Sequence, residues 1–193
     1  MTGLLLTGGA STRMGRDKAT LMLGGETLAA RAARVLIAAT DSAYVVGPGS
    51  GSGLERLADR GEGPLAAIAD AWTSIGSSRP AVLVLACDIP GIEGALLKAI
   101  AARLQGNDAV VPVANGRDQP LCAAYSADAL DAAVRLVDRG ERSMRALLAS
   151  LGRVDRMAEE VWGSSDPSTL DDVDTPAHWE AALDRLSEPP RNE

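Results

Sequence analysis

Gly3-Leu4-Leu5-Leu6-Thr7-Gly8-Gly9-Ala10-Ser11-Thr12-Arg13-Met14-Gly15-Arg16-Asp17-Lys18 begins as a short apolar run and then breaks into adjacent glycines. An apolar run of this length bounded by glycine predicts a buried strand followed by a loop. Gly8 and Gly9 remove two Cβ atoms, so main-chain N–H groups there can approach an anion closely. Arg13 contributes a guanidinium fork and Lys18 a compact ammonium, both complementary to the oxygens of a triphosphate. Ser11 and Thr12 add hydroxyls. The segment is longer than the roughly 2–6 residues of an ordinary strand-to-helix connection, and long loops in compact domains tend to be functional. A flexible turn is the competing structural reading.

The two standard phosphate loops fail here. A Walker loop requires Gly-Lys-Ser/Thr in succession, whereas Arg16-Asp17 separates Gly15 from Lys18. The dinucleotide fingerprint Gly-x-Gly-x-x-Gly fails because Gly8 and Gly9 are adjacent and Gly15 follows six residues after Gly9.

Outward from this loop, short apolar runs at 4–7, 43–46, 81–86, 109–113 and 121–125 alternate with stretches of helical spacing at 28–39, 65–75, 95–104 and 127–137. Alternation of this kind predicts an α/β fold with a mostly parallel sheet. Val82-Leu83-Val84-Leu85 has no polar alternation, as a central strand covered on both faces requires. Thr27 is placed to cap one helix, Pro64 to open another as its first residue, and Thr175-Pro176 repeats that device. Residues 47–53, Gly-Pro-Gly-Ser-Gly-Ser-Gly, read as a loop after a strand. The 46 residues before it are too few for a separate α/β domain. A single domain over 1–186, with a disordered tail at 187–193, is the expected organisation.

Composition narrows the function classes. The 193 residues carry 26 acids and 19 bases, a net charge of −7, which argues against non-specific nucleic-acid or anionic-membrane binding. The first apolar run, Leu4-Leu5-Leu6, is too short for the apolar region of a signal sequence or for a membrane span. Cys87 and Cys122 cannot build a disulfide framework, so a reducing cytoplasmic compartment is the default. With no Phe, Leu, Val, Ile and Ala must fill the core. Only Lys18 and Lys98 are lysines, so a lysine at the glycine-rich loop stands out from background. The lone His178 and two unclustered cysteines make no zinc site by spacing, and a surface or packing role is expected for the histidine.

Asp88 directly follows the buried run, in Ala86-Cys87-Asp88-Ile89-Pro90. Open α/β sheets collect ligands at the carboxyl ends of their strands. A carboxylate buried there needs a cation or a partner. Mg²⁺ takes few protein ligands and the rest from water and phosphates, so one aspartate can suffice. A helix N-cap before a proline turn fits the same residue.

Gly-Gly-x-Ser-x-Arg-Met-Gly-x-Asp-Lys after an N-terminal strand resembles the signature of the small nucleotidyltransferases with a Rossmann-like fold. Within them it is most similar to the molybdenum cofactor guanylyltransferases. The resemblance implies a three-layer sandwich of the nucleotide-diphospho-sugar transferase type. It also implies a nucleotide site at Leu6, Thr7, Gly8, Gly9, Lys18, Asp59 and Asp88, with Asp88 holding Mg²⁺ and with Arg13, Lys18 and Asp88 catalytic. Thr7 stands where the family more often has alanine, and Ala67 replaces a glycine in Gly63-Pro64-Leu65-Ala66-Ala67. Asp59 sits closer to that element than its family counterpart, and flanking Arg56 and Arg60 suit a solvated acid equally well.

Later segments follow in the family's order. Gly116-Arg117-Asp118-Gln119-Pro120-Leu121 matches a stretch that faces the second substrate, which implies acceptor binding by Arg117 and Gln119. Gly140-Glu141-Arg142-Ser143-Met144-Arg145 resembles a Gly-Glu-Arg element before a short helix, which implies that Arg142 holds the acceptor's phosphate, and exposed arginines at a helix end fit the same residues. Leu170-Asp171-Asp172-Val173-Asp174-Thr175-Pro176 matches an Asn/Asp-x-Asn/Asp-Thr-Pro element, adding Asp172 and Asp174 to the acceptor side. The guanylyltransferases often carry asparagines there, and aspartates are frequent in cytidylyl- and sugar-phosphate-transferring relatives. The implied activity is transfer of GMP from GTP to Mo-molybdopterin with release of pyrophosphate. The alternatives are the same chemistry with CTP or another phosphorylated acceptor, and a nucleotide-binding module without turnover. Transient contact with molybdenum-insertion or molybdoenzyme proteins is a further implication.

Overall fold

The computed structural model describes residues 1–8, 17–48, 51–76, 80–162 and 167–187. Its frame is one sheet built on β1 (Thr2–Leu6), β4 (Ser42–Val46), β5 (Glu55–Leu57), β6 (Ala81–Ala86), β7 (Ala109–Ala114), β9 (Cys122–Ser126) and β10 (Val154–Met157). Their order across the sheet is β10-β7-β9-β6-β1-β4-β5. A hairpin of β2 (Met22–Leu23) and β3 (Glu26–Thr27) stands apart, and β8 (Arg117–Asp118) pairs with the end of β7.

Every residue of β1 and β6 is buried, so both strands need apolar side chains on both faces. The strand period of two then sorts them into layers. Leu5, Leu83 and Leu85 point into the core shared with α1 (Leu28–Ile37) and α3 (Gly94–Arg103). Leu4, Leu6, Val82 and Val84 point the opposite way. They pack into the core shared with α2 (Pro64–Ile75), α4 (Ala127–Asp138) and α5 (Met144–Ser150). The result is the expected three-layer α/β sandwich.

The helix starts follow the local signals. Thr27 Oγ1 accepts from the Ala30 amide at 3.1 Å, and Pro64 opens α2 behind Gly63, which takes φ +97°. After the short α6 (Glu159–Trp162) comes α7 (Pro176–Ser187), where Thr175 Oγ1 accepts from the His178 amide at 3.2 Å. The expected tail at 187–193 begins on the last residue of α7, and 188–193 lie outside the described residues.

The sheet is mostly parallel, as the alternation of runs and helices predicts, and the run at 121–125 supplies its antiparallel member β9, which pairs with both β6 and β7. The short strands β5, β8 and β10 had no apolar run to announce them. β10 contains Arg156, which an edge strand exposes at little cost, and Asp155, which is half-buried and paired with Arg103. Among the described residues no helix is long and apolar enough to cross a membrane.

Leu83 is fully buried at the centre of the sheet, whereas Lys98 lies exposed on α3. Truncating Leu83 to alanine should cost about 2–5 kcal/mol through lost burial and the cavity left behind, and Lys98→Ala should stay within about 0.5 kcal/mol. Urea unfolding of the two variants checks both figures, and equal midpoints would contradict this layering.

Candidate functional site

The chain order places a crevice at one end of the sheet. β1 lies between β4 and β6, and the helices that lead to those two strands cover opposite faces. Such a switch point leaves the carboxyl ends of the strands open to a ligand. Leu6 is in register with Val46 on one side and with Ala86 on the other. Thr7, Gly47 and Cys87 therefore continue in line beyond the sheet, and Gly8 and Asp88 come next.

Main-chain contacts fix this rim. The Thr7 amide donates to Val46 O at 2.9 Å and its hydroxyl donates to the same carbonyl at 3.2 Å, while the Cys87 amide donates to Leu6 O at 3.0 Å. Gly47 adopts φ +107°, and a Cβ on it would come within 2.7 Å of the Gly8 nitrogen. Only glycine lets the loop after β4 lie against the loop after β1. The glycine-rich 47–53 segment thus begins as a close neighbour of the first motif, a contact that its linker-like composition concealed.

Lys18 returns to this rim on a short helical turn, Lys18–Thr20. Asp17 caps the turn, its Oδ1 accepting from the Ala19 amide at 3.0 Å, and the Ala19 side chain is fully buried. The capping aspartate was part of the motif, but its job was not assigned from sequence. With its backbone fixed, Lys18 directs Nζ at the Asp88 carboxylate, 3.2 Å away, and at the Asp174 carboxylate. Three positions separated by 70 and 156 residues meet at one ammonium.

Burial alone would lower the Lys18 ammonium, but Asp174 and Asp88 outweigh it and hold the group above the ordinary lysine value. Asp88 does not cap the following helix, whose N-cap is Glu93. Its carboxylate pairs with Lys18 instead. Cys87 beside it is inert as a nucleophile: burial first, then Asp88 and Asp17, push its thiol up to about 12.

The segment around Asp174 is tied to the same loop. The Val173 amide donates to Asp88 O at 2.9 Å. Arg31 of α1 donates from Nε to Pro90 O at 2.8 Å, and Gly91 approaches Thr169 so closely that a Cβ would lie 3.1 Å from its carbonyl. Asp172 lines a groove of about 240 Å³ together with Asp171, Val173, His178 and Arg185. Burial, then the charges of Asp174 and Asp88, raise its carboxyl above the ordinary range. His178 is on the surface, as expected, and its Nδ1 accepts from the Asp174 amide at 3.4 Å.

Of the residues singled out from sequence, the structure brings together Leu6, Thr7, Gly8, Lys18, Asp88 and Asp174, with Asp172 alongside. Asp59 is not among them. It follows β5 at the sheet edge, where its Oδ2 accepts from the Gly61 amide at 3.3 Å. Arg142 donates to Val137 O, Glu141 O and, at 2.5 Å, Glu62, so its guanidinium braces the loop before α2. Arg117 is exposed on the β7–β8 hairpin, and the Gln119 amide donates to Pro112 O at 2.8 Å. Gly9 and Arg13 lie outside the described residues. Arg31 and Gly47 were missed. A glycine directly after a strand was the available signal for Gly47, and nothing local marked Arg31.

The donor set suits a hard divalent cation. It is all carboxylate oxygen, and Asp88 and Asp174 already share a cationic partner in Lys18. Among the described residues no three such side chains form a closed cage.

The family model described as MobA-like NTP transferase domain matches residues 3–156. A probable molybdenum cofactor guanylyltransferase of Opitutus terrae is 38% identical over 189 residues, covering 90% of this chain and 93% of that protein. The solved molybdopterin-guanine dinucleotide biosynthesis protein A from Archaeoglobus fulgidus has the same fold. Its TM-score is 0.80 at 23% identity, covering 97% of this chain and 99% of that one. A Mycobacterium tuberculosis protein solved in complex with manganese matches at a TM-score of 0.72 and 19% identity, covering 95% of this chain and 97% of that one.

Asp172 yields a test of the electrostatics. An acid whose folded pKa is raised destabilises the fold once pH exceeds its unfolded value, near the ordinary 3.8. Asp172→Asn should therefore raise the melting temperature at pH 7, with the gain shrinking as pH falls toward 4. Calorimetric scans at several pH values read this, and an unchanged or lower melting temperature at pH 7 would contradict it.

Proposed function

The chain belongs to the MobA-like NTP transferase domain family, and from that premise we propose that it moves GMP from GTP to the terminal phosphate of Mo-molybdopterin, releasing pyrophosphate. The observation that carries the proposal is the meeting of Lys18, Asp88 and Asp174 at the switch point of the sheet. A relative at 38% identity, described as a probable molybdenum cofactor guanylyltransferase, supports the choice of nucleotide and acceptor.

In this reading the triphosphate lies along the backbone at Gly8 and Gly9, which carry no Cβ of their own to hold it off. Leu6 and Thr7 neighbour the nucleoside. Lys18 and Arg13 neutralise the triphosphate and then the departing pyrophosphate. An oxygen of the acceptor phosphate forms a new bond to the α-phosphorus as the bond from that phosphorus to the α–β bridging oxygen breaks. The attacking oxygen is already anionic at neutral pH, so no general base is required. Catalysis rests on alignment and on charge neutralisation by this chain's fixed groups. Mg²⁺, held by Asp88 and Asp174, would supply Lewis-acid stabilisation of charge on the α-phosphate.

We place the acceptor against the β7–β8 hairpin that carries Arg117 and Gln119, and against the groove beside Asp172. Arg142 joins that side only through its brace on Glu62. Asp59 stays a nucleotide-edge candidate. The whole acts as one domain in the cytoplasm, with molybdenum-insertion or molybdoenzyme proteins as transient partners and no nucleic acid. The aspartates at 172 and 174, in place of asparagines, favour a second reading with the same chemistry and CTP.

Incubation with Mo-molybdopterin, Mg²⁺ and each of the four nucleoside triphosphates in turn tests the proposal. Pyrophosphate release should occur with GTP and fall on the order of 10²-fold or more in Asp88→Asn, by analogy with loss of a charge-stabilising group elsewhere. Release with CTP alone would move the assignment to cytidylyl transfer. Binding without release for all four would leave a nucleotide-binding module.

A further inference from the structure

Lys18 is engaged before any substrate arrives. Its ammonium contacts the Asp88 and Asp174 carboxylates, and its side chain is only 15% exposed. The backbone beneath it is locked by the Asp17 cap and by the buried Ala19, so the flexible part is the four-carbon stem. The same two carboxylates are those that the nucleotidyl-transfer reading assigns to a divalent cation. One pair of acids cannot serve an ammonium and a divalent cation at full strength together, because two cations at such range repel strongly.

Resting on that reading, we propose that Lys18 is an internal competitor for the divalent cation, so that the site takes the metal as its complex with a nucleoside triphosphate rather than as the free ion. A free divalent cation must either displace Lys18 from both carboxylates, leaving a largely buried ammonium without them, or bind beside it against its charge. A metal–triphosphate complex removes that obstacle. Its phosphate oxygens give Lys18 new anionic partners, and the carboxylates are released to the metal in the same event. Nucleotide and metal then strengthen one another's binding by an equal factor, as linkage requires. A lysine suits this exchange where an arginine would not. A point charge on a mobile stem can change partners, whereas a planar fork locks into bidentate geometry.

Two measurements on the full chain decide the matter. In the first, Mn²⁺ alone is titrated into parent and Lys18→Met protein and followed by the electron paramagnetic resonance of the free ion. The variant should bind Mn²⁺ roughly tenfold or more tightly, and adding Asp174→Asn to it should abolish the gain. Equal or weaker Mn²⁺ binding by folded Lys18→Met would overturn the proposal. The second needs no Lys18 variant. The chain has two lysines, Lys18 and Lys98, so ¹³Cε-lysine labelling gives two signals, assigned with Lys98→Arg. Mg²⁺ alone should leave the Lys18 signal in place at concentrations where Mg²⁺ with GTP shifts it. A shift of the same size with Mg²⁺ alone would also overturn it. Neither readout involves turnover. A failed exchange with pyrophosphate release intact condemns this inference only, whereas a silent pyrophosphate assay with every triphosphate condemns the transfer reading.

Discussion

Two carboxylates facing each other at the mouth of a sheet repel, and burial worsens the repulsion by removing water that would screen them. In this protein one ammonium resolves the conflict. Lys18 lies between Asp88 and Asp174, and much of the surrounding architecture serves to bring the three together. β1 delivers the glycine loop, the Asp17-capped turn aims the lysine, and β6 carries Asp88 to the same rim. The C-terminal segment hangs on the backbone of Asp88 itself, through the Val173 amide. The chemistry attributed to the site depends on this charge arrangement. A rim already built to hold positive charge among acids suits both a divalent cation and the lysine that answers a triphosphate.

The fold makes that rim rigid from below. β1 and β6 are buried on both faces, so their ends cannot shift without disturbing two cores at once. The loop beyond β6 is pinned again by Arg31 on Pro90 and by the contact of Gly91 with Thr169. A chain of net charge −7 can still receive a polyanion here, because Lys18 stands at the point of contact and Arg13 and Arg16 precede it closely in sequence.

How far the sequence revealed this depends on the range of the interaction. The central strands were legible because Leu4-Leu5-Leu6 and Val82-Leu83-Val84-Leu85 need only local pattern, and Thr27, Pro64 and Thr175 announced their helices through local capping chemistry. The mostly parallel sheet was legible from the alternation of runs and helices, but which strand would run against the others was not. An apolar run such as 121–125 looks alike in either orientation, and β9 proved antiparallel. Lys18 and Asp88 could be named as site residues, one from its loop and the other from its place after a buried strand. That Asp174 completes the pair is a contact across 156 residues, which no local spacing encodes. The same limit applies to Arg142, whose resemblance to an acceptor-binding arginine says nothing of the nearby Glu62.

The central claim is that a nucleoside triphosphate lies across the backbone after β1 and draws Lys18 onto its phosphates. A crystal structure of the protein with GTP and Mg²⁺ examines this most directly. The account predicts phosphate density beside Gly8, with Lys18 Nζ turned toward it and the metal on Asp88 and Asp174. Density at another end of the sheet, with Lys18 still paired to both aspartates, would contradict it.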